Sequence, residues 1–357
     1  MKHKGKRKIK NKDKSDFVGS DIGAILEKET IELKSMAGRK IAIDAYNTIY
    51  QFLSIIRQPD GTPLMDSKRQ ITSHLAGLLY RVSNIIEMDI KPVFVFDGEP
   101  PPFKLKTIEA RAAAKVEAKA KMEEAKERGI VDVKKWAQAT SKITPEILEG
   151  SKKLLDYMGV PVIQAPSEGE AQAALMCKEG DVWAVGSQDY DSVLFGSPRL
   201  IRNLTLSGKR KLPSKGIYIN IEPELIDLSK TLKTLDLDRR KLIWVAMMVG
   251  TDYDSGIKGI GPKKGLDIAK KASSIKDCFE LAKASEGYYG ELEEIEKFYM
   301  NPPMKEVEIE FKEPQRDKLI DLLCGKHEFS IERVEKAIDK IEKKPEKGGQ
   351  SRLENWL

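Results

Sequence analysis

Residues 39–45 read RKIAIDA, two basic residues and then a short apolar run that stops on Asp44. A run of this length reads as a buried strand. The pattern returns twice: KPVFVFDG at 91–98 is rich in Val and Phe and stops on Asp97-Gly98, and VWAVGSQDYD at 182–191 breaks at Gly186 before Asp189 and Asp191. Helical spacing covers 71–87, between the first two runs, and 145–158, ahead of the third; 22–33 shares it. Strands alternating with helices predict an α/β fold, a mostly parallel central sheet with helices on both faces. In such sheets ligands bind off the carboxyl ends of the strands, where these aspartates fall.

The rest of the chain sets limits on that reading. At 357 residues, 40% hydrophobic and 33% charged, it has the make-up of a globular protein of one large or two ordinary domains. The longest apolar stretch, 242–249, is far short of the roughly 18 residues that cross a bilayer, and no signal-peptide pattern opens the sequence. An intracellular protein with no membrane partner is expected. Cys177, Cys278 and Cys324 are widely spaced without a CxxC pair, and only His3, His74 and His327 could join them. Neither a disulfide framework nor a zinc site is suggested, so a metal here would be held by oxygen. The net charge of +6 lies entirely in residues 1–17, whose eight Lys/Arg and two Asp account for the whole excess. The remaining 340 residues are formally neutral, so any nucleic-acid role has to rest on where charges cluster.

Two regions break the strand–helix rhythm. Residues 103–128 carry eight Lys/Arg, five Glu and many alanines without a wide apolar stripe, which predicts helix that is not packed into a core. After Thr251 the chain turns to helices joined by a glycine-rich turn, and 341–349 reads as a polar Pro/Gly tether. The last eight residues regain Leu353, Trp356 and Leu357 at spacings that fit one turn of helix.

Seven acids fall at strand ends or helix starts: Asp44, Asp97, Glu168, Glu170, Asp189, Asp191 and Asp252. Each alone has an ordinary explanation. Asp97 before Gly98 suits a turn, Ser167 with Glu170 suits a capping box, and Asp189 and Asp191 suit a helix start and its cap. Together they present uncompensated carboxylates at one sheet edge, with no matching row of Lys or Arg in the same motifs. A hard divalent cation removes their repulsion, and oxygen-only ligands suit Mg²⁺ or Mn²⁺. Two such ions about 4 Å apart would clamp the attacking and leaving oxygens of a phosphodiester displacement. Asp189-x-Asp191 would put both side chains on one face of an extended segment. The acids leave the substrate open: a phosphomonoesterase or RNA-cutting nuclease of a related acid-cluster fold would use the same ions.

Eight motifs carry a resemblance over nearly everything from 19 to 357: IAIDA (41–45), IYQFL (49–53), TSHLAGLLYR (72–81), VFVFDGEPP (93–101), APSEGEAQAA (165–174), SQDYDSVLFG (187–196), VGTDY (249–253) and GIKGIGPKK (256–264). The chain resembles the flap endonucleases, structure-specific 5′ nucleases of the XPG type, and most of all the archaeal members. The resemblance implies a PIN-like fold and a two-metal enzyme of DNA replication and repair. Such an enzyme cuts near the junction of 5′ single-stranded flaps with duplex DNA and has an associated 5′–3′ exonuclease activity. The family's seven metal-site acids fall on the seven acids above. Asp97, Glu168 and Glu170 would favour one ion, Asp189 and Asp191 the other, with Asp44 and Asp252 acting through bound water. Two Mg²⁺ per subunit, with Mn²⁺ as substitute, and a monomer are implied.

The same resemblance makes residues 99–143 the helical arch through which the flap passes, with Lys104 and Arg111 facing the scissile phosphate. It places the nuclease core at 18–340, with an N-region at 18–116, an I-region at 145–275 and a helical part at 276–340. Tyr50 matches an aromatic that stacks on a base near the cut, although an aromatic inside IYQFL taken alone reads slightly better as core. Gly259, Gly261, Lys263 and Lys264 match a helix-turn-helix hairpin whose backbone and charge meet duplex phosphates without reading sequence. A potassium ion held by backbone carbonyls at that turn is a further implication. Gly265 departs from the alanine usual there, so a looser helix start is expected. Gln350, Leu353, Trp356 and Leu357 resemble the sliding-clamp (PCNA) motif, with Leu357 where an aromatic is usual. Burying Leu353 and Trp356 would contribute about 1.5 to 3 kcal/mol each before ordering costs. Relatives begin Met-Gly where this chain reads Val18-Gly19, which suggests that residues 1–17 precede the true start. The pocket for a one-nucleotide 3′ flap is expected near 59–66. A scaffold that binds DNA and the clamp without catalysis is the non-enzymatic alternative; it predicts missing acids, and none is missing.

Overall fold

The computed structural model describes residues 21–105, 107–109, 113, 116, 141–205, 209–211, 218–284 and 291–343. The basic segment 1–17, Arg111, most of the arch, the tether from 344 on and the clamp motif lie outside them; 341 and 342, expected in the tether, belong to the last helix.

Strands β1 (Glu29–Thr30), β2 (Lys40–Asp44), β3 (Lys91–Phe96), β4 (Val162–Gln164), β5 (Ala184–Gly186), β6 (Arg199–Arg202) and β9 (Glu224–Asp227) form one sheet in the order β1-β9-β6-β5-β2-β3-β4. The five strands from β6 to β4 are parallel, and β9 and β1 add antiparallel at the far edge. A small ladder of β7 (Lys209–Lys211) and β8 (Tyr218–Asn220) stands apart. The helices are α1 (Ala45–Ile55), α2 (Ser73–Gly77), α3 (Ser83–Glu87), α4 (Pro145–Tyr157), α5 (Gly169–Glu179), α6 (Asp191–Leu194), α7 (Leu228–Leu235), α8 (Arg239–Val249), α9 (Pro262–Lys271), α10 (Ile275–Leu281), α11 (Leu292–Met300), α12 (Arg316–Ile320) and α13 (Ile331–Glu342). A π-type turn, Leu78–Val82, carries α2 into α3, and another, Asp321–Lys326, follows α12.

Alternation along the strands splits the core into two layers. Ala42, Val93, Val95, Val185 and Leu200 face Ala171 and Ala173 of α5 and the apolar residues of α8. Their neighbours Ile41, Ile43, Phe94, Phe96, Ala184 and Ile201 face Phe52 of α1, Leu154 of α4 and Val334 of α13. Strands covered on both sides read as continuous apolar runs, which is why IAIDA and PVFVFD are legible. Local chemistry sets the helix starts. Asp44, Asp227, Asp238 and Ser274 each accept a backbone N–H three residues on, at 3.0, 2.9, 2.8 and 3.1 Å.

Two segments differ from expectation. Residues 22–33 are not a helix: Ile22 and Leu26 are buried at helical spacing, but the chain makes a turn there, Ile25 N–H donating to the Ile22 carbonyl at 3.0 Å. It then pairs β1 with β9, the sheet edge taking backbone groups that a helix would have satisfied internally. The run at 182–191 breaks at Gly186 as expected, where β5 ends, but Asp189 lies in a bend rather than an extended segment. Asp191 opens α6. Asp189 N–H turns back to Ser187 Oγ at 3.2 Å, which a strand would not allow.

Candidate active site

β2, β3 and β5 all point their carboxyl ends the same way; β2 ends on Asp44, Asp97 follows β3 directly, and Asp189 comes three residues after β5. Asp44 ends β2 and caps α1 through Oδ1, while Oδ2 accepts from Ser187 Oγ at 3.5 Å. Asp97 follows β3, and its Oδ1 accepts the Gly169 N–H at 2.7 Å. The start of α5 is thus capped by a carboxylate from another strand, not by the Ser167–Glu170 box that its sequence suggests. Ser167 Oγ instead donates to the Glu99 carbonyl at 2.9 Å. A Cβ at Gly169 would sit 2.7 Å from Asp97 Oδ1, so the helix approaches Asp97 this closely only because residue 169 has no side chain. Glu168 and Glu170 stand on the same first turn. Asp189 Oδ2 accepts from Asn47 Nδ2 at 2.7 Å, and Asp252 follows α8.

Electrostatics ties the seven into one group. Burial, then the neighbouring Asp97, push the Asp44 carboxyl up to about 7, and burial pushes Glu168 up to about 7. Asp97 is raised by burial, with Asp252 adding to it. Glu170 and Asp189 are raised well above the ordinary range, first by burial and then by Asp191 and Asp44. Glu170 Oε1 is buried and receives no hydrogen bond. Against this stands Lys104, whose Nζ donates to both Glu168 oxygens at 2.8 and 2.6 Å and lies 3.8 Å from Asp252. Burial opposes its charge, but Glu168, Asp252 and Asp97 outweigh that and raise its pKa. The preceding Phe103 packs edge-on against Tyr253 and Phe298, with centroids 5.1 and 5.2 Å apart, which fixes where Lys104 enters.

The donor set fits a hard divalent ion: oxygen ligands alone, negative charge in excess, and a buried carboxylate oxygen without a partner. Among the described residues no three acids are already gathered on one ion position. Lys104, Asn47 and the Gly169 N–H hold Glu168, Asp189 and Asp97 instead.

Other residues singled out by sequence lie outside this cluster. Tyr50 is half-buried on α1 and belongs to neither core layer, which goes against the core reading. Gly259 has φ +87°, a conformation that favours glycine, and a Cβ at Gly259 or Gly261 would meet nothing within 4 Å. Lys263 and Lys264 are exposed on the first turn of α9. Gly265 is no loosening: a Cβ there would come within 3.3 Å of Val245 Cγ1, so its absence lets α9 lie closely on α8. In the loop 59–66, Asp66 accepts the Gln70 N–H at 2.8 Å and faces His327 Nδ1 at 2.9 Å, tying that loop to the C-terminal helices. Sequence reasoning missed Asn47 and Phe103; both adjoin recognised motifs, but only the fold shows what they touch.

Two family profiles match the chain, the XPG N-terminal domain over residues 22–118 and the XPG I-region over 159–252. Flap endonuclease 1 of Archaeoglobus fulgidus is 53% identical over 95% of this chain and 100% of its own length. The chain belongs to the flap endonuclease family. The Pyrococcus abyssi flap endonuclease 1 is 52% identical over 95% of this chain and 98% of its own length. Among solved structures, flap endonuclease-1 from Methanococcus jannaschii superposes with a TM-score of 0.71 at 38% identity, covering 90% of this chain and 98% of that one. Membership makes the chain a structure-specific nuclease that hydrolyses phosphodiester bonds, with metal dependence as in the rest of the family.

Proposed function

We propose that the cluster at the carboxyl edge of the sheet removes 5′ flaps from branched DNA with the help of two Mg²⁺ ions, Mn²⁺ serving as substitute. The observation that carries this reading is the meeting of seven acids, five of them with upward-shifted pKa values, around Lys104, whose ammonium is the single one among them in the described residues. Asp97, Glu168 and Glu170 would hold one ion and Asp189 and Asp191 the other, Asp44 and Asp252 contributing through water. Bound there, the ions supply the positive charge that activates a water molecule and neutralises the transferring phosphate.

The protein's own groups do the rest. Lys104, already inside the cluster, offers its ammonium to a non-bridging phosphate oxygen, and Arg111 on the arch adds a planar fork. Gly259 and Gly261 leave the hairpin backbone open to duplex phosphates, and Lys263 and Lys264 add charge that does not read bases. A potassium ion at this turn would rest on backbone carbonyls. Tyr50, partly exposed, offers a ring face for the base next to the cut. Gln350, Leu353, Trp356 and Leu357 are assigned to docking on a sliding clamp, the enzyme acting as a monomer inside the cell in replication and repair.

The test is product mapping on a labelled double-flap DNA with a one-nucleotide 3′ flap, in Mg²⁺ and in EDTA. A single Mg²⁺-dependent cut just inside the duplex is expected. The Asp189→Ala protein should bind this DNA and cut it slower by orders of magnitude, and equal cutting by it would refute the two-ion assignment.

A further inference from the structure

Asp189 and Asp191 stand one residue apart, Asp189 in a bend and Asp191 at the start of α6. The bend that carries them is short and irregular, so something must keep it from splaying. Tyr190, the residue between them, is buried in the layer that holds α8.

Two parts of the chain grip it. From the end of β6, the Arg202 guanidinium lies 4.5 Å from the centroid of the Tyr190 ring, and its Nε donates to the Gln188 carbonyl at 3.0 Å. Arg202 Nη1 donates to Glu224 Oε2 on β9 at 3.2 Å, and the two residues stand opposite each other in the ladder. From the N-terminal segment, Lys28 Nζ donates to the Tyr190 hydroxyl at 2.9 Å and lies 5.3 Å from the ring centroid. A Cβ at Gly23 would fall 2.2 Å from that hydroxyl, so the segment closes on the ring without clearance. A cation over an aromatic face and a charged donor on a carbonyl are directional contacts. Here they fix both the ring and the backbone immediately before Asp189.

We propose that Arg202 is a positioning residue for divalent-ion binding, acting through Tyr190 and Gln188 to hold the 188–191 bend, with Glu224 anchoring it and Lys28 closing the far side. None of these groups needs to touch the ion. The inference rests on the assignment of Asp189 and Asp191 as ion ligands. Partners that orient ligands without touching the metal change affinity by about 10- to 100-fold when removed.

Calorimetric titration of the DNA-free protein with Ca²⁺ and with Mg²⁺ tests it, comparing wild type with Arg202→Gln, Arg202→Lys, Glu224→Gln and Asp189→Asn. Arg202→Gln should weaken one class of ion site about 10-fold or more, the same class that Asp189→Asn removes, and Arg202→Lys should restore only part of it. Glu224→Gln keeps the guanidinium but frees it, and should weaken that class in the same direction; it carries the test if Arg202→Gln does not fold. In cleavage assays the Mg²⁺ concentration for half-maximal rate should rise by the same factor, with the rate recovering at high Mg²⁺ and flap-DNA affinity in EDTA unchanged. A merely structural role would lower the melting temperature and leave ion affinity and Mg²⁺ half-saturation alone. Ion affinities within twofold of wild type in the folded Arg202→Gln or Glu224→Gln proteins overturn the proposal. Retention of every site by Asp189→Asn would instead overturn the ligand assignment on which it stands.

Discussion

Removing divalent ions at different pH values probes the acid cluster without altering a residue. Asp44 and Glu168 rise from ordinary values of 3.8 and 4.5 to about 7, burial being the first cause of both. A carboxyl whose folded pKa is raised makes the native state bind more protons than the unfolded chain between the two values. The ion-free protein therefore loses stability from these groups as pH rises from about 4 to about 7, and no more above that. A divalent ion needs the same carboxylates ionised, so at pH 5 it competes with protons held about two units below their release. At about 1.4 kcal/mol per unit, this penalty is about 3 kcal/mol for each carboxylate that must be stripped, and it vanishes at pH 8. With about 2.1 cal/mol/K of unfolding entropy per residue over a chain of this size, 3 kcal/mol corresponds to roughly 4 °C. The assay is scanning calorimetry in EDTA and in excess Mg²⁺, at pH 5 and at pH 8. The melting temperature gained on adding Mg²⁺ should be larger at pH 8 by about 4 °C or more. His74 titrates with the opposite sign, its pKa lowered to about 4 by burial and then by His327, so it adds stability as pH rises from about 4 to 6.5. That contribution is common to both buffers and cancels in the difference. An equal Mg²⁺ shift at the two pH values would refute the reasoning.

Three further outcomes follow from particular contacts. Lys104→Ala removes the only ammonium bonded to Glu168 among the described residues, and should lower the single-turnover cleavage rate by at least 10-fold while Ca²⁺ binding to the DNA-free protein, read by calorimetry, is not weakened. Gly169→Ala forces a methyl group to within 2.7 Å of Asp97 Oδ1, and Mg²⁺ titration should show weaker ion binding with a melting temperature lowered by the equivalent of about 1–3 kcal/mol. Truncation after residue 349 should leave cleavage of free flap DNA unchanged and abolish any stimulation by a sliding clamp, measured side by side with and without clamp.

The acidic edge was legible because two strands run directly into an acid and a third into a short bend that carries two, and a strand buried on both faces announces itself as an unbroken apolar run. The acids after β3 and β5 could be placed beside Asp44 from the alternation alone. How they are held could not. Asp97 caps a helix whose own sequence offers Ser167 for that purpose, and the choice is made by a 2.7 Å approach that local sequence cannot encode. Asn47 reaches Asp189 across 142 positions. The segment 22–33 misled for a related reason, because its apolar spacing suits a helix while β9 offers an edge that only the finished sheet possesses. Pattern reports which face is buried; it is silent about which of two compatible partners lies there.

Charge explains why this edge suits divalent ions. Among the described residues the seven carboxylates meet the single ammonium of Lys104, and burial favours the protonated form of five of them in the ion-free protein. On the proposed reading, bound ions would take over from those protons and leave the rest of the charge to the fixed donors that the fold already supplies, the Asn47 amide, the Ser187 hydroxyl and the Gly169 N–H. Lys104 would then have less to neutralise on Glu168 and Asp252, and an entering phosphate would be the next anion in its reach. On that reading the ammonium that makes the resting cluster tolerable is also the one offered to the substrate, on a chain segment whose base Phe103 pins against Tyr253 and Phe298. Electrostatic stabilisation of this kind is effective because the group is held before the substrate arrives and has little reorganisation left to make.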